Sequence, residues 1–433
     1  MTDTETEAPP SEEGRPEPTP QEQRAAVVRL LAVLAAGAAV AVATGVVRTV
    51  LVILALVAMV MVHELGHFLT AKWAGMKVTE FFLGFGPRLW SVRKGETEYG
   101  VKAIPAGGYV KIPGMTNLEK VDPADEPRTY RQQPYWRRMS VAVAGTATHF
   151  VMAFLLLYVL LTVVGVEKEM PRVGALSELE TGPSPAQQAG FQVGDRLVSY
   201  DGVPFESFDA MAEHIRRRPG QPIEFVVERD GRRLTLTAIP ADRSTVAVKG
   251  EEGEPKPSRP TGFVGISRSI GVVKTGPVAA IGESAGDLGR ATVVTLRALG
   301  DVFSPSGASS YGRQLVDKEP GPPEGTEPRF LSPLGFGRLA SQAADAGWRE
   351  VLTLLLLINV FVGIFNMVPL LPFDGGHVAI ATYERLRSRG GRRHHADVTK
   401  AVPVFYAVVA LLVFIAVSSL YLDAVRPLPN PFQ

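Results

Sequence analysis

Apolar residues in this chain gather in long runs rather than in the narrow stripes of a soluble helix. Leu30–Val47 carries no charge, and after Arg48 a second run, Thr49–Val62, leads into His63. Val141–Val164 is interrupted only by His149 and small residues. Val351–Phe365 runs directly into Asn366, Pro369 and Pro372, and Val402–Tyr421 is the last run. A membrane-crossing helix needs about 20 residues, so four or five transmembrane segments are expected. The first two runs read either as two helices with a tight turn near Gly45–Thr49 or as one long helix with an extension outside the membrane. Two spans are the favoured reading.

Between and around these runs the pattern changes. Residues 1–24 are acidic, rich in Pro and Glu and nearly free of large apolar side chains. Such a segment buries too little surface to offset its ordering entropy and is expected to be disordered. It lacks the basic start leading straight into an apolar run that marks a signal peptide.

The polar block 167–349 carries its own signals. Pro185 to Phe191 is followed by Val193-Gly194-Asp195, and Tyr200-Asp201-Gly202 reads as a turn. Phe208–Arg217 reads as a helix with Phe208, Met211, Ala212 and Ile215 on its apolar side. Alternation follows on both sides of Asp230-Gly231, a strong hairpin signal. Residues 244–260 read as an inserted loop, and Gly262 to Ile266 as a closing strand. Pro277–Phe303 fits a long amphipathic helix, and 304–329 a flexible loop.

The expected organisation is therefore a membrane region over 25–75, a membrane-associated β-loop region over 76–140 and a transmembrane helix over 141–166. A folded domain over 171–268 and an amphipathic helix with linker over 277–349 follow. A membrane segment over 351–376, a basic loop over 377–401 and a last transmembrane helix over 402–422 complete the chain. The fold class is an α-helical polytopic membrane protein with an inserted α+β domain.

Loop charge sets the expected orientation. Between Lys72 and Arg138 the chain carries twelve Lys and Arg, and Arg385 to Lys400 holds six more. Both loops are expected in the cytoplasm, together with Arg24 and Arg29. The polar block then lies outside, and five spans place the C-terminus outside.

Composition narrows the function. The chain has 433 residues, 46% hydrophobic and 21% charged, too apolar for a plain soluble enzyme and too charged for a pure membrane bundle. Net charge of +1 argues against a nucleic-acid partner. Cysteine is absent, which excludes disulfides, Cys-ligated zinc, iron–sulfur clusters and thiol catalysis. Any metal must be held by Asp, Glu or one of seven histidines.

His63-Glu64-Leu65-Gly66-His67 is the central motif. Residues four apart share one helix face, so His63 and His67 form half of a zinc site, with Glu64 beside them as the base for a metal-activated water. A packing cluster is the competing explanation, weakened because ionisable groups on an apolar membrane helix are costly and usually functional. A catalytic zinc needs a third ligand. Asp374 is the candidate, after the helix-breaking Pro369 and Pro372 and before Gly375-Gly376; His377 is its rival. A helix end near the headgroups is the structural alternative for Asp374. Asn359 and Asn366 are seven apart and share a face, for substrate hydrogen bonding or for interhelical packing. Phe81 to Pro87 and Ala106 to Lys111, rich in Gly and aromatics, read as short strands and turns. They add a strand to an extended substrate or form a structural hairpin.

These residues together resemble the site-2 proteases, intramembrane zinc metalloproteases of the bacterial sigma-E-regulating type and their actinobacterial relatives. His63 to His67 matches that family's HExxH, and Asn366 to Gly376 its N-x-x-P-x-x-P-x-D-G motif. The resemblance spans roughly Val50 to Leu422. It implies Zn2+ held by His63, His67 and Asp374, with Glu64 as general base and Asn359 and Asn366 in substrate handling. It implies a membrane-associated β-loop containing Gly84, Gly86, Gly108 and Tyr109 that presents substrate as a strand. It also implies one PDZ domain over 171–268, which limits access to substrates already trimmed outside. The expected enzyme is a zinc metalloendopeptidase in the plasma membrane, its active site toward the cytoplasm and its PDZ domain outside. Its expected partners are the lipid bilayer and single-pass substrates such as anti-sigma factors. A catalytically inactive PDZ-containing scaffold is the alternative, with a zinc transporter behind it. Gly145 to Phe150 departs from the family: His149 stands where relatives often carry Asn.

Overall fold

The computed structural model describes residues 20–115, 119–250, 257–316, 329–388 and 394–432. In chain order the elements are α1 (Pro20–Thr44), α2 (Val47–Trp73), β1 (Glu80–Lys94), β2 (Thr97–Lys111) and α3 (Tyr135–Val159). Then come β3 (Val166–Leu176), α4 (Pro185–Gln188), β4 (Arg196–Tyr200), α5 (Phe208–Arg216), β5 (Ile223–Arg229), β6 (Arg232–Ala238) and β7 (Ile266–Val273). Six helices close the chain: α6 (Pro277–Val302), α7 (Pro305–Val316), α8 (Pro333–Ala346), α9 (Trp348–Asn366), α10 (Asp374–Arg387) and α11 (Val402–Val425).

Among the described residues five helical segments are long and apolar enough to cross a membrane: Gln23–Thr44, Val47–Trp73, Tyr135–Val164, Trp348–Asn366 and Val398–Val425. The chain is thus a membrane protein with an inserted β-rich domain. It divides into two compact units, Met1–Leu160 with Pro277–Gln433, and Leu161–Gly276.

Several boundaries differ from those read off the sequence. Residues 1–19 of the expected disordered tail lie outside the described residues, but 20–24 begin α1. Proline is tolerated in a first turn, and Gln, Glu and Arg are good helix formers. The expected loop 304–329 contains α7, started by Pro305 and by the Ser304 Oγ, which accepts the Gly307 N–H at 3.1 Å. Residues 317–328 of that loop, and 251–256 of the expected insertion, lie outside the described residues. The linker before the fourth span also holds α8, capped by Ser332. The expected basic loop 377–401 is helical through Arg387, because α10 continues from Asp374.

The segments read as short strands are two 15-residue strands. They are bent so that 80–83 pairs with both 98–101 and 108–111. The bends need glycine. A Cβ at Gly84, whose φ is +86°, would lie 2.6 Å from the Ile104 carbonyl oxygen, and one at Gly100 would lie 2.4 Å from that of Trp90.

In the unit Leu161–Gly276 the main sheet runs in the order β7-β3-β4-β5-β6 with antiparallel neighbours. Phe208, Met211 and Ile215, spaced three and four apart, bury the inner face of α5 in a core with Leu197, Ile223, Phe225 and Val227. The β5–β6 turn is Asp230-Gly231 with φ of 52° and 77°, the signature of a two-residue hairpin turn. Asp195 is buried and accepts from Arg229 Nε at 2.7 Å, Arg229 Nη2 at 2.8 Å and the Gln192 N–H at 2.8 Å. Burial works to raise its pKa, but the Arg229 guanidinium and the Gln192 amide prevail and hold the carboxyl below its usual range.

In the other unit α11 is tied to α8 by a polar lock. Asp423, 1% exposed, accepts from Arg329 Nη2 at 2.8 Å and from Ser332 N and Oγ, both at 2.7 Å. A Cβ on Gly335 would lie 2.1 Å from Asp423 Oδ2, so only glycine allows this approach.

Two outcomes follow from these pairs. Arg229→Gln leaves the buried Asp195 carboxylate without its cation and lowers stability near Leu161–Gly276 by about 3 kcal/mol at neutral pH. The contribution exists above the ordinary carboxylate pKa of about 3.9 and disappears as pH falls through the lower folded value, so wild type and variant converge in acid. Hydrogen exchange of the Phe225 and Val227 amides at neutral and acidic pH measures both. Asp423→Ala strands Arg329, whose side chain is 7% exposed. It costs about 3–5 kcal/mol, read as a lower midpoint for thermal unfolding in detergent.

Candidate metal centre

The two histidines of α2 face α3 because both helices present small residues at the crossing. A Cβ on Gly66 would lie 2.8 Å from Thr148 Cγ2 and 3.0 Å from the Ala144 carbonyl oxygen. On α3, a Cβ at Gly145 would lie 2.3 Å from His63 Cε1 and 2.4 Å from His67 Nε2. The imidazoles therefore occupy the room that a side chain at Gly145 would take, and they are 8% and 6% exposed. Small residues permit such close helix contact in membranes.

Asp374 reaches the same place from a broken segment. After α9 ends at Asn366 the chain makes tight turns, with Phe373 N–H to Leu370 O at 3.0 Å and Gly376 N–H to Phe373 O at 2.9 Å. Asp374 is then the first residue of α10. The glycine pair after it allows the turn to sit on the helix start: a Cβ at Gly375 would lie 2.3 Å from the Met367 oxygen, and one at Gly376 would lie 2.7 Å from the Leu371 nitrogen.

The three side chains converge. His63 Nε2 and His67 Nε2 are 3.2 Å apart, and Asp374 Oδ2 lies 3.5 Å from the first and 3.3 Å from the second. A tetrahedral zinc with bonds of about 2.0–2.1 Å has ligand–ligand edges of about 3.3–3.4 Å, so the three separations match one face of such a site. The chemistry agrees. His67 Nδ1 is 2.7 Å from the Val141 carbonyl oxygen, so Nδ1 carries the proton and Nε2 presents a lone pair. Asp374 Oδ2 is buried with no donor. Lone pairs aimed at one point inside a protein repel unless a cation joins them, and these residues fit Zn2+.

Glu64, half-buried, lies beside this group, with the Val110 backbone of β2 next to its carboxylate. Gly108 lets β2 come this close: a Cβ there would lie 2.7 Å from Met61 Sδ and 3.3 Å from Glu64 Cγ. Tyr109 points into the sheet, stacked on Phe82 at 5.8 Å and Phe85 at 5.9 Å, with its hydroxyl bonded to Glu80. Gly84 and Gly86 both have positive φ and serve the bends of β1.

The two asparagines part company. Asn359 is 2% exposed, and its amide is engaged at both ends. Nδ2 donates to the Leu355 oxygen at 2.8 Å, and Oδ1 lies 3.0 Å from His149 Nδ1. Asn366 is half-buried and finds no hydrogen-bond partner among the described residues. His377 lies edge-on to Tyr130 at 6.1 Å, and the metal-ligating group found among the described residues is His63, His67 and Asp374 without it.

Sequence reasoning passed over Gly145, the close approach of Gly108 to Glu64 and the His149–Asn359 pair. The His149 ring is 5.0 Å from that of His63. Each of these is a contact between elements distant in sequence, and only the unusual histidine at 149 signalled one of them.

Residues 49–413 match the family described as peptidase family M50. The zinc metalloprotease Rip1 of Mycobacterium tuberculosis is 34% identical over 408 residues, covering 89% of this chain and 98% of the relative. Rip1 of Mycolicibacterium smegmatis is 33% identical over 412 residues, covering 88% and 97%. A putative zinc metalloprotease of Rhizobium meliloti is 30% identical over 347 residues, covering 76% and 85%. With a family match across most of its length and relatives of this coverage, the chain belongs to peptidase family M50.

Proposed function

We propose that this protein is an intramembrane zinc metalloendopeptidase that hydrolyses a peptide bond in or beside the transmembrane helix of a single-pass membrane protein. The convergence of His63, His67 and Asp374 beside Glu64, on helices fit to cross a membrane, carries this reading. The relatives named zinc metalloproteases support it.

His63, His67 and Asp374 would hold the zinc. Bound there, the metal would supply Lewis-acid polarisation of the scissile carbonyl and activation of a water. Glu64 would take a proton from the attacking water at its carboxylate and deliver it to the leaving nitrogen. A helical substrate has its carbonyls engaged and must be unwound first. The segment 108–111 pairs with 80–83 on one side and with no other strand among the described residues. Its open side suits addition of an extended substrate next to Glu64. Gly108 has its part here through the space it leaves, and Gly84, Gly86 and Tyr109 by holding the bent sheet. The free amide of Asn366 suits a substrate backbone group, whereas the occupied amide of Asn359 suits orientation of His149.

The inserted unit Leu161–Gly276, an antiparallel sheet with one packed helix, is proposed as a PDZ domain that admits substrates already trimmed on its side. The basic runs at 72–138 and 385–400 support, by the positive-inside rule, an active-site end in the cytoplasm and a PDZ domain outside. Anti-sigma factors are the proposed substrates, released into the cytoplasm after cleavage.

Glu64→Gln is expected to lower turnover by about 10²–10⁴-fold while zinc content stays equal to wild type. In cells lacking the protein, complementation with this variant leaves short membrane-bound fragments that wild type clears. Identical fragment profiles at equal expression would remove the protease reading. Asp374→Ala and Gly145→Ala act differently. Each lowers zinc affinity by more than about 100-fold, since even the loss of a group that merely supports a ligand costs about 10–100-fold. Metal content of the purified variants against a competing chelator measures this.

A further inference from the structure

The first turn of α3 and the last turn of α10 meet at a buried ion pair, Arg138 Nη1 to Glu384 Oε2, with side chains 10% and 6% exposed. Tyr130 stacks on the guanidinium at 5.0 Å. Beside this pair opens a cavity of about 210 Å³ lined by Arg131, Arg138, Arg385, Ser388, His394 and His395, among others. At about 30 Å³ per water it has room for several waters or one phosphate group.

The charges in it do not cancel. Arg131 is paired with Glu126 at 2.8 Å, and Arg138 with Glu384. Glu384 spends its other oxygen on the Ala396 N–H at 2.7 Å. Arg385 has no partner among the described residues. Arg138 Nε is buried and also lacks an acceptor, although the residue is 92% buried by its 8% exposure. The N-terminus of α3, 25 residues long, begins at the cavity wall after Pro134 and carries no side-chain cap. An uncapped helix start, an unpaired arginine and the Arg138 side chain around one cavity call for an anion with several acceptor oxygens.

The position says where that anion comes from. The apolar span of α3 starts just beyond Arg138. Trp136 beside the cavity is 75% exposed, and Trp73 at the end of α2 is 81% exposed. Arg137 Nη1 donates to the Ala74 oxygen at 3.3 Å, so the two helix ends lie at one height. Two exposed tryptophans at one height, on helices that cross a membrane, mark the headgroup layer. Leu386, 72% exposed next to Arg385, offers apolar surface on the same rim.

We propose that this cavity binds a phosphate group, supplied by the headgroup of an anionic phospholipid. Its oxygens take the Arg385 guanidinium, the part of the Arg138 side chain that lines the cavity and the Tyr135 and Trp136 amides that open α3. The bound phosphate holds the last turn of α10 to the first turn of α3. α10 begins with Asp374, so the site lies at the opposite end of the helix that carries the third metal ligand. The assignment stands on the cavity and on its height in the membrane, and does not depend on the peptidase reading.

The test uses the full chain in nanodiscs, with native mass spectrometry counting retained lipid. Wild type is compared with Arg385→Gln, and with Lys94→Gln as a control for loss of one exposed charge elsewhere. Phosphatidylglycerol retention is expected to fall about fivefold in Arg385→Gln, as expected for one basic side chain near a charged surface. Phosphatidylglycerol retention is unchanged in Lys94→Gln, and phosphatidylcholine, whose choline cation offsets its phosphate, loses less than phosphatidylglycerol in Arg385→Gln. Inorganic phosphate added to wild type separates the sources. If it leaves the lipid bound, the headgroup is the ligand. If it displaces the lipid and raises the unfolding midpoint in detergent by itself, the cavity takes phosphate from solution as well, and the phosphate site stands. Equal phosphatidylglycerol retention in Arg385→Gln and wild type, or an equal loss in Lys94→Gln, overturns the proposal.

Discussion

Everything at the centre of this protein depends on how closely α2 and α3 approach. Two imidazoles and a carboxylate are expensive inside apolar helices, and they are tolerated when they face protein rather than lipid. Gly66 and Gly145 make that possible by leaving out side chains: the first lets the helices touch, and the second vacates the volume that His63 and His67 fill. α9 joins on the same terms, since a Cβ on Gly363 would lie 3.1 Å from His149 Cβ. The metal centre is thus a cavity carved by missing carbons. Its polar groups are bonded to neighbouring helices, as in His67 to the Val141 carbonyl and His149 to Asn359. Those bonds fix ring orientation at the cost of a second role for the residues that make them.

The third ligand needs a different solution. A continuous helix through residues 366–374 would leave Asp374 wherever its turn happened to fall. Breaking the helix at the two prolines frees backbone groups that lipid cannot satisfy. The turns at 370–376 satisfy them internally, and the glycine pair lets them sit on the start of α10. On the opposite flank β2 supplies what helices cannot, an extended edge next to Glu64. Gly108 admits the strand beside the Glu64 carboxylate.

Much of this was legible in the sequence wherever the information is local. His63 and His67 share a face because they are four apart, and Asp230-Gly231 turns a hairpin because both residues tolerate positive φ. The apolar runs locate the spans because length and composition suffice for that. Legibility fails where partners come from afar. Asn359 and Asn366 share a face by spacing, yet one is engaged by His149 on α3 and the other is free. Nothing within α9 distinguishes them. Gly145 looks like any glycine in an apolar helix until His63 is placed against it. The glycines of 81–111 suggested turns between short strands, whereas they bend two long strands past one another. Polar composition likewise concealed α7 and the body of α10, because both helices present polar sides and start at Pro305 and Asp374 without a long apolar run.

α10 shows how local and distant constraints combine. Its 14 residues span about 21 Å at 1.5 Å per residue. One end is set by the turns that deliver Asp374, and the other by the Arg138–Glu384 pair. Arg138 and Gly145 lie on the same helix, two turns apart. The helix that vacates space for the imidazoles therefore also anchors the far end of the helix bearing the carboxylate. A shift of α3 along its axis would move the wall behind His63 and His67 and drag Asp374 with it. The three ligand atoms keep their separations under such motion better than they would if Asp374 hung from an untethered loop. That shared attachment explains why a deeply buried ion pair, which contributes little to stability on balance, sits at this point in the molecule: it registers two helices whose relative position the metal site depends on.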